Sequence, residues 1–395
     1  MIDILVVSQS CLTGVNRAPY RLLQKRGRSV EIVVPKQFQA NGFSRPADPA
    51  ASDDPPIHEL EIHRAHPRLW RFRGLTDLLR ARRPRVVILD VDPGSVLALE
   101  VGSWARRSGA KVACISCDNL DRSVLSEAQR SFVAGAKLLV SRTLATAARL
   151  AVDHVFVLSS TSLKLMERLG FRNRTTMIPL GYDPALFRAD PEVRAATRKS
   201  LGLTELTFAY FGRLSPEKGA HLLLEALARL QDLPWQLLLD EFSEYQHPYA
   251  RQIKHLIDSL GFKDRIVFFD ARHEEMGRYM NAADIVVMPS VSSAVWSEQY
   301  GRVAPEAMAC GRVVVVSNSG ALPEVVGDAA VIVPEGDVEK LAQTLRRLFE
   351  DETLRRNIGP RAAQHAEGNH SLRVQVQRMD EVIRSWLDDA VAPRT

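Results

Sequence analysis

Short runs of β-branched and aliphatic residues recur along the chain, each closed by a turn-forming residue and several followed by a helical stretch. Ile2–Val7, Glu31–Pro35, Val86–Asp92, the run opening at Lys111, the run opening at His154, the run opening at Leu206, Trp235–Asp240, Arg265–Asp270 and Ala283–Met288 are of this kind. Runs that stay apolar without alternation are strands buried on both faces, as in a parallel sheet sandwiched between helices. Between the first two runs lies a helical stretch, Arg17–Arg26, ended by Gly27. Strand, loop, helix and strand in so few residues make a βαβ unit, and its repetition gives an α/β fold.

At 395 residues the chain is too long for one ordinary core and divides into two domains. Pro179, Gly181 and Pro184 interrupt regular structure, so the first domain is expected to span 1–180 and the second 181–370. Charge divides the same way. Residues 1–180 hold 27 Lys and Arg against 16 Asp and Glu, while the rest holds 25 against 31, within a net charge of +5. The cations of the first half are spread out rather than clustered with stacking aromatics, so no nucleic acid is expected as a partner. No run of eighteen apolar residues occurs and the N-terminal stretch reads as a strand, so the expectation is a cytoplasmic protein. The cysteines, Cys11, Cys114, Cys117 and Cys310, are too few and too scattered for a disulfide framework, and Cys114-x-x-Cys117 lacks a second ligand pair.

The most informative stretch is Pro289–Gly336, which follows the run ending at Met288. Glu298 stands in its first loop. Glu306 stands eight positions on, in a short helix expected from Gly301 to Cys310, with a proline near its start and Gly311 just past its end. Between the acids, the backbone N–H groups of Gln299, Tyr300, Gly301 and Arg302 are expected to be helix-start donors open to phosphate or sugar hydroxyls. Spaced glutamates alone read more readily as a solvated loop charge and an acid favoured by the helix dipole; the order of motifs along the chain reverses that preference. Earlier, Leu206–Tyr210 leads into Phe211-Gly212-Arg213, with Lys218-Gly219 soon after. Gly212 lets backbone approach a ligand, while Arg213 and Lys218 add a bidentate donor and a point cation. Diphosphate suits such a pair.

Glu298-x7-Glu306, then Ala-Met-Ala-Cys-Gly and Ser-Gly-Ala-Leu-Pro-Glu-Val-Val, preceded by Gly212-Arg213 and Lys218-Gly219, resembles the signature of retaining GT-B glycosyltransferases of the family-four type. The likeness is strong over residues 176–340 and looser before. It implies two Rossmann-like domains with an interdomain cleft, an acceptor-side first domain and a donor-binding second domain. It also implies a terminal helix, 371–388, that returns to the first. The implied ligands are a nucleoside diphosphate sugar, with UDP ahead of GDP, and an acceptor hydroxyl; no metal or other cofactor is implied. Arg213, Lys218 and Glu298 become the catalytic set. Gly212, Gln299, Tyr300, Gly301 and Glu306 become donor-binding, with Glu306 on the ribose and Glu298 on the sugar. The loop 271–275 would lie near the base, and the glycine turn that relatives show after Asp240 is replaced by Glu241–His247.

In the first domain the resemblance gives the loop holding Gly14 and Asn16 an acceptor or phosphate role. Where relatives place a histidine, this chain has Cys117-Asp118-Asn119, which makes Asp118 and Asn119 the replacement candidates. Asp90-x-Asp92 is assigned no metal. Residues 37–60 are expected to be a loop. The segment 63–83 interleaves Leu69, Trp70, Phe72, Leu75, Leu78 and Leu79 with arginines and reads as an amphipathic helix, core-facing or peripheral on an anionic membrane at the inner face. The expected activity is sugar transfer with retained configuration, in bacterial glycan, glycolipid or glycoside biosynthesis. Two alternatives stand beside it: an epimerase or phosphorylase on the same fold, and a binding protein without chemistry. Release of nucleoside diphosphate with a new glycosidic bond separates the first alternative, and donor hydrolysis without acceptor separates the second.

Overall fold

The computed structural model describes residues 1–40, 43–63, 67–120, 131–241 and 248–389. The chain forms two compact units, Met1–Pro179 together with the helix Leu372–Asp389, and Leu180–Ser371.

The first unit is built on a seven-stranded parallel sheet. In chain order its strands are β1 (Ile4–Val7), β2 (Val30–Pro35), β5 (Ile57–Leu60), β8 (Val86–Leu89), β9 (Lys111–Ser116), β10 (His154–Val157) and β11 (Thr175–Met177). In space they run β11-β10-β9-β8-β1-β2-β5. The stretch expected to be a loop, 37–60, instead holds an antiparallel hairpin, β3 (Gln37–Ala40) with β4 (Phe43–Pro46), and then the edge strand β5. Ile57 and Leu60 join the sheet although Pro, Asp and Ser dominate the residues before them. The backbone of the edge strand is satisfied by β2, so weak local propensity is overridden.

The basic segment also differs from a single helix. Ile62–His63 (β6) pairs antiparallel with Arg71–Phe72 (β7), and the helix covers only Leu75–Arg82. Trp70, Phe72, Leu75 and Leu79 are all buried, so these apolar side chains serve the core and are not displayed to lipid. The terminal helix Leu372–Asp389 buries Val376, Met379 and Ile383 in the same unit. Arg28 Nε binds Asp380 at 3.1 Å and Arg378 donates to the Met177 carbonyl at 3.0 Å.

The second unit carries six parallel strands: β12 (Leu206–Tyr210), β13 (Trp235–Asp240), β14 (Ile266–Phe269), β15 (Ile285–Met288), β16 (Val313–Ser317) and β17 (Val331–Val333). Their spatial order is β14-β13-β12-β15-β16-β17. Alternate residues go to opposite faces. Phe208, Tyr210, Leu237, Leu239, Ile285, Val287, Val313 and Val315 belong to one core; Ala209, Phe211, Leu238, Val286, Met288, Val314 and Val316 belong to the other. Helices cover both faces, which explains why the strands read as unbroken apolar runs. This is the doubly wound Rossmann order, whose direction reverses between β12 and β15. Ligands of such sheets bind outside the carboxyl ends of the strands at that reversal.

Candidate active site

Two loops of the second unit leave the sheet at its reversal point. One follows β12 and holds Gly212, Arg213 and Lys218; the other follows β15 and runs from Pro289 to Arg302. Backbone contacts lock them together: Val291 N–H donates to the Glu217 carbonyl at 2.8 Å. Gly219 has φ +72°, and a Cβ there would stand 2.0 Å from the Pro289 carbonyl oxygen. Only glycine permits that approach.

The central contact of the site joins the two loops. Lys218 Nζ donates to Glu298 Oε2 at 2.7 Å, and Ser290 Oγ donates to the same oxygen at 3.1 Å. Glu298 is 5% exposed, so its charge is placed and paired in a desolvated setting. Lys218 also stands 5.1 Å from the ring centroid of Trp296, a cation–π contact from the same acidic loop. A third loop supports them. Ala321 N–H donates to the Glu298 carbonyl at 2.9 Å, and a Cβ on Gly320, φ +52°, would meet that carbonyl oxygen at 2.1 Å.

Around this pair, Gly212 has φ +125° and its N–H donates to Asp240 Oδ2 at 3.3 Å. The Arg213 carbonyl accepts from the hydroxyl of Tyr210 at 3.0 Å; its side chain is half-buried. Burial pushes the Tyr210 phenol well above its ordinary range, with Tyr249 and Asp240 adding to it, so it serves as a neutral donor holding the loop.

The helix on the acidic side begins two residues later than expected, at Val303, and ends at Ala309. Gln299, Tyr300 and Gly301 therefore belong to the loop before it and are not helix-start donors. Gly301, φ +78°, provides the turn into the helix. Gln299 is exposed, whereas Tyr300 is 3% exposed and its hydroxyl meets His370 Nδ1 at 2.7 Å. Tyr300 thus ties the loop to the end of the helix Glu352–His370; any ligand contact it makes runs through its backbone.

Glu306 is 3% exposed, and its Oε1 lies 2.9 Å from His273 Nε2 and 3.7 Å from Arg302 Nε. His273 comes from the loop after β14, in the 271–275 stretch, and its other nitrogen, Nδ1, is buried without a hydrogen-bond partner. Residues 242–247, where the missing glycine turn would fall, lie outside the described residues. Sequence reasoning missed His273, Ser290, Trp296, Asp240 and Gly320. A lone histidine beside a strand end carries no spacing signal, and Trp296 and Gly320 acquire meaning only once the three loops are brought together.

In the first unit the candidates gather at the carboxyl ends of β1, β8 and β9, its own reversal point. Two of them are occupied within the fold. The Gly14 N–H donates to Asp48 Oδ2 at 2.8 Å, and Asn16 Nδ2 donates to the Ser10 carbonyl at 2.7 Å. The Gly14 amide is thus bonded to an internal carboxylate in this structure. Arg17, fully buried, rivets the loop by donating to the carbonyls of Cys11, Leu12, Asp48 and Pro49 and pairing with Asp54 at 2.9 Å.

Asp90 accepts from the Ser8 and Ser10 hydroxyls at 2.7 and 2.6 Å. Asp92 is bonded to the Ser116 hydroxyl. Burial, and then the nearby Asp118, raise the Asp92 carboxyl above its usual range. Asp118 pairs with Arg68 at 3.6 Å, and Asn119 is 7% exposed. The Cys11 and Cys310 thiols are pushed up to about 12 by burial, which disfavours their thiolate forms.

Residues 193–365 match the model of the family described as glycosyl transferases group 1, and residues 16–181 match that of a glycosyl transferase 4-like domain. A GDP-mannose-dependent monoacylated alpha-(1-6)-phosphatidylinositol monomannoside mannosyltransferase of Corynebacterium glutamicum is 32% identical over 53% of this chain and 55% of its own length. A D-inositol 3-phosphate glycosyltransferase of Corynebacterium efficiens is 32% identical over 49% of this chain and 47% of its own. The chain thus spans about half the length of the relatives it matches. Among solved structures, HepE of Anabaena in complex with UDP superposes with a TM-score of 0.73 at 20% identity, over 97% of this chain and all of that one. Sucrose-phosphate synthase from Thermosynechococcus elongatus gives 0.73 at 21%, over 98% of this chain and all of its own. At such identities the likeness is one of fold.

Proposed function

The chain belongs to the glycosyl transferases group 1 family, and from that premise we propose that it transfers a sugar from a nucleoside diphosphate donor to an acceptor hydroxyl, with retained anomeric configuration. The observation that carries this reading is the Lys218–Glu298 pair at the reversal point of the second unit's sheet. A cation held there before the donor arrives suits a diphosphate, and a buried carboxylate beside it suits sugar hydroxyls.

The bond from the anomeric carbon to the diphosphate oxygen breaks, and its electron pair leaves with the diphosphate. Lys218 and Arg213 stabilise the charge that develops on the leaving group, from positions fixed in advance. With two cations aimed at that charge, the transfer is proposed to run without a metal. The acceptor oxygen bonds to the anomeric carbon on the face the diphosphate leaves, and its proton passes to the departing phosphate oxygen. Glu298 holds the donor sugar, and Glu306, steadied by His273 and Arg302, takes the ribose hydroxyls. Gly212 and the backbone of 299–301 complete the donor site.

UDP is placed first among the nucleotides. GDP, which the Corynebacterium glutamicum relative's name contains, is its competitor. The acceptor is assigned to the first unit, with Asp118 and Asn119 facing it, and the protein to the cytoplasm, where it meets the inner face of the membrane. Incubation with a panel of UDP- and GDP-sugars and candidate acceptors tests the reading. A new glycosidic bond of the donor's anomeric configuration, with one nucleoside diphosphate released per bond, supports it; epimerised or phosphorolysed donor would overturn it.

A further inference from the structure

The helix Phe132–Ala148 is apolar nearly all round, yet only one of its sides is covered. Ala145 and Ala148 are buried, Ala148 in the core formed by the sheet and the helix Val96–Ser108. On the other side Phe132 is 83% exposed, and Leu139 and Val140 are each 54% exposed. At 100° per residue, Phe132, Ala136, Leu139, Val140 and Thr143 fall within an arc of about 100°. Leu150, just past the helix end and 69% exposed, continues the same line, which reaches about 27 Å at 1.5 Å per residue.

The borders of this stripe are cationic. Lys137 stands at one edge, Arg142 and Arg149 at the other, and no Asp or Glu occurs from Ser131 to Val152. Isolated apolar residues on a surface need no explanation, but a continuous uncharged stripe of this length does.

We propose that this face lies on an anionic lipid bilayer, with Phe132, Leu139, Val140 and Leu150 in the acyl boundary and Lys137, Arg142 and Arg149 among the headgroups. An apolar stripe flanked by cations without acids is the pattern of a helix lying in the membrane interface. Charge complementarity selects this occupant. A second copy of the same face would bring cations against cations, whereas an anionic leaflet attracts them. The assignment moves the membrane contact away from the segment 63–83, where Trp70, Phe72, Leu75 and Leu79 are buried and Leu69 and Leu78 half-buried. It does not depend on the sugar-transfer reading, because lipid binding is measured without donor or acceptor.

The full chain is sedimented with vesicles of phosphatidylcholine mixed with phosphatidylglycerol, and with vesicles of phosphatidylcholine alone. Partitioning onto the mixed vesicles, weakened by added salt and lowered about tenfold by Leu139→Glu with Val140→Glu, is the expected result. Circular dichroism and the thermal midpoint establish that the variant is folded. Should it not fold, Leu139→Cys carrying an environment-sensitive fluorophore gives the same answer through a blue shift on the mixed vesicles only. Three outcomes would overturn the proposal: no binding to the mixed vesicles, equal binding by the folded double variant, or a wild-type dimer that the double variant converts to monomer.

Discussion

Lys218 and Glu298 are 80 positions apart in the chain and their side chains meet at 2.7 Å. The contact links the loops after β12 and β15, the adjacent strands at which the sheet reverses direction. One loop contributes a cation and the other a buried acid.

Removing Lys218 leaves Glu298 buried beside Ser290 with its principal charge partner lost. Lys218→Met is expected to cost about 3 kcal/mol of stability, as for a half-broken buried ion pair. The double variant Lys218→Met with Glu298→Gln should recover most of that loss while turnover stays at least a hundredfold down. Denaturant unfolding and initial rates on the wild type, Lys218→Met, Glu298→Gln and the double variant check this.

His273 is hydrogen-bonded to Glu306 at 2.9 Å, and under the proposed reading it acts on the donor through that acid. His273→Ala should raise the donor KM about tenfold with a small change in kcat, the pattern for loss of binding energy shared by ground and transition states. His273→Gln, which can still donate to Glu306, should restore part of the affinity.

At Gly320 a Cβ would meet the Glu298 carbonyl oxygen at 2.1 Å in a backbone of φ +52°. Gly320→Ala is expected to destabilise the protein by roughly 3 kcal/mol or to displace the acidic loop. Gly336, also at positive φ (+71°) but with open space around it, is the control: Gly336→Ala should cost about 1 kcal/mol. Thermal unfolding of the two variants compares them.

His154, on β10 with its ring against Trp386 of the terminal helix, has its pKa lowered from 6.5 to about 4, chiefly by burial and then by Arg174. A histidine whose folded pKa is depressed binds its proton better in the unfolded chain. Stability is therefore unaffected above pH 6.5 and falls as pH drops toward 4, by about 2 kcal/mol at pH 5. His154→Gln should flatten that acid limb, as read from unfolding midpoints at pH 7.5 and pH 5.

The second unit was legible in the sequence because its strands are buried on both faces and its loops carry chemically distinctive residues. Arg213, Lys218, Glu298 and Glu306 are named from the family resemblance that their motifs carry, and the sheet brings Lys218 to Glu298. The hairpin within 37–60 was not legible, since an edge strand takes its stability from its neighbour more than from its own residues. The bonds of Gly14 to Asp48 and of Asn16 to the Ser10 carbonyl are not legible in the sequence, because these groups become neighbours only in the fold. The split of 63–83 into strand and helix was hidden by arginines at almost every turn. Trp70 and Phe72 fit the core better than lipid on the sequence, and the structure buries both.

Arg213, Lys218 and Glu306 are proposed to surround one nucleoside diphosphate. Calorimetric titration of UDP and GDP into the wild-type protein and into Arg213→Ala, Lys218→Ala and Glu306→Ala tests it most directly. One diphosphate bound per chain, with each folded variant weakened at least tenfold, is the predicted result. Binding that all three variants leave unchanged, or no binding of either nucleotide by the folded wild type, would contradict it.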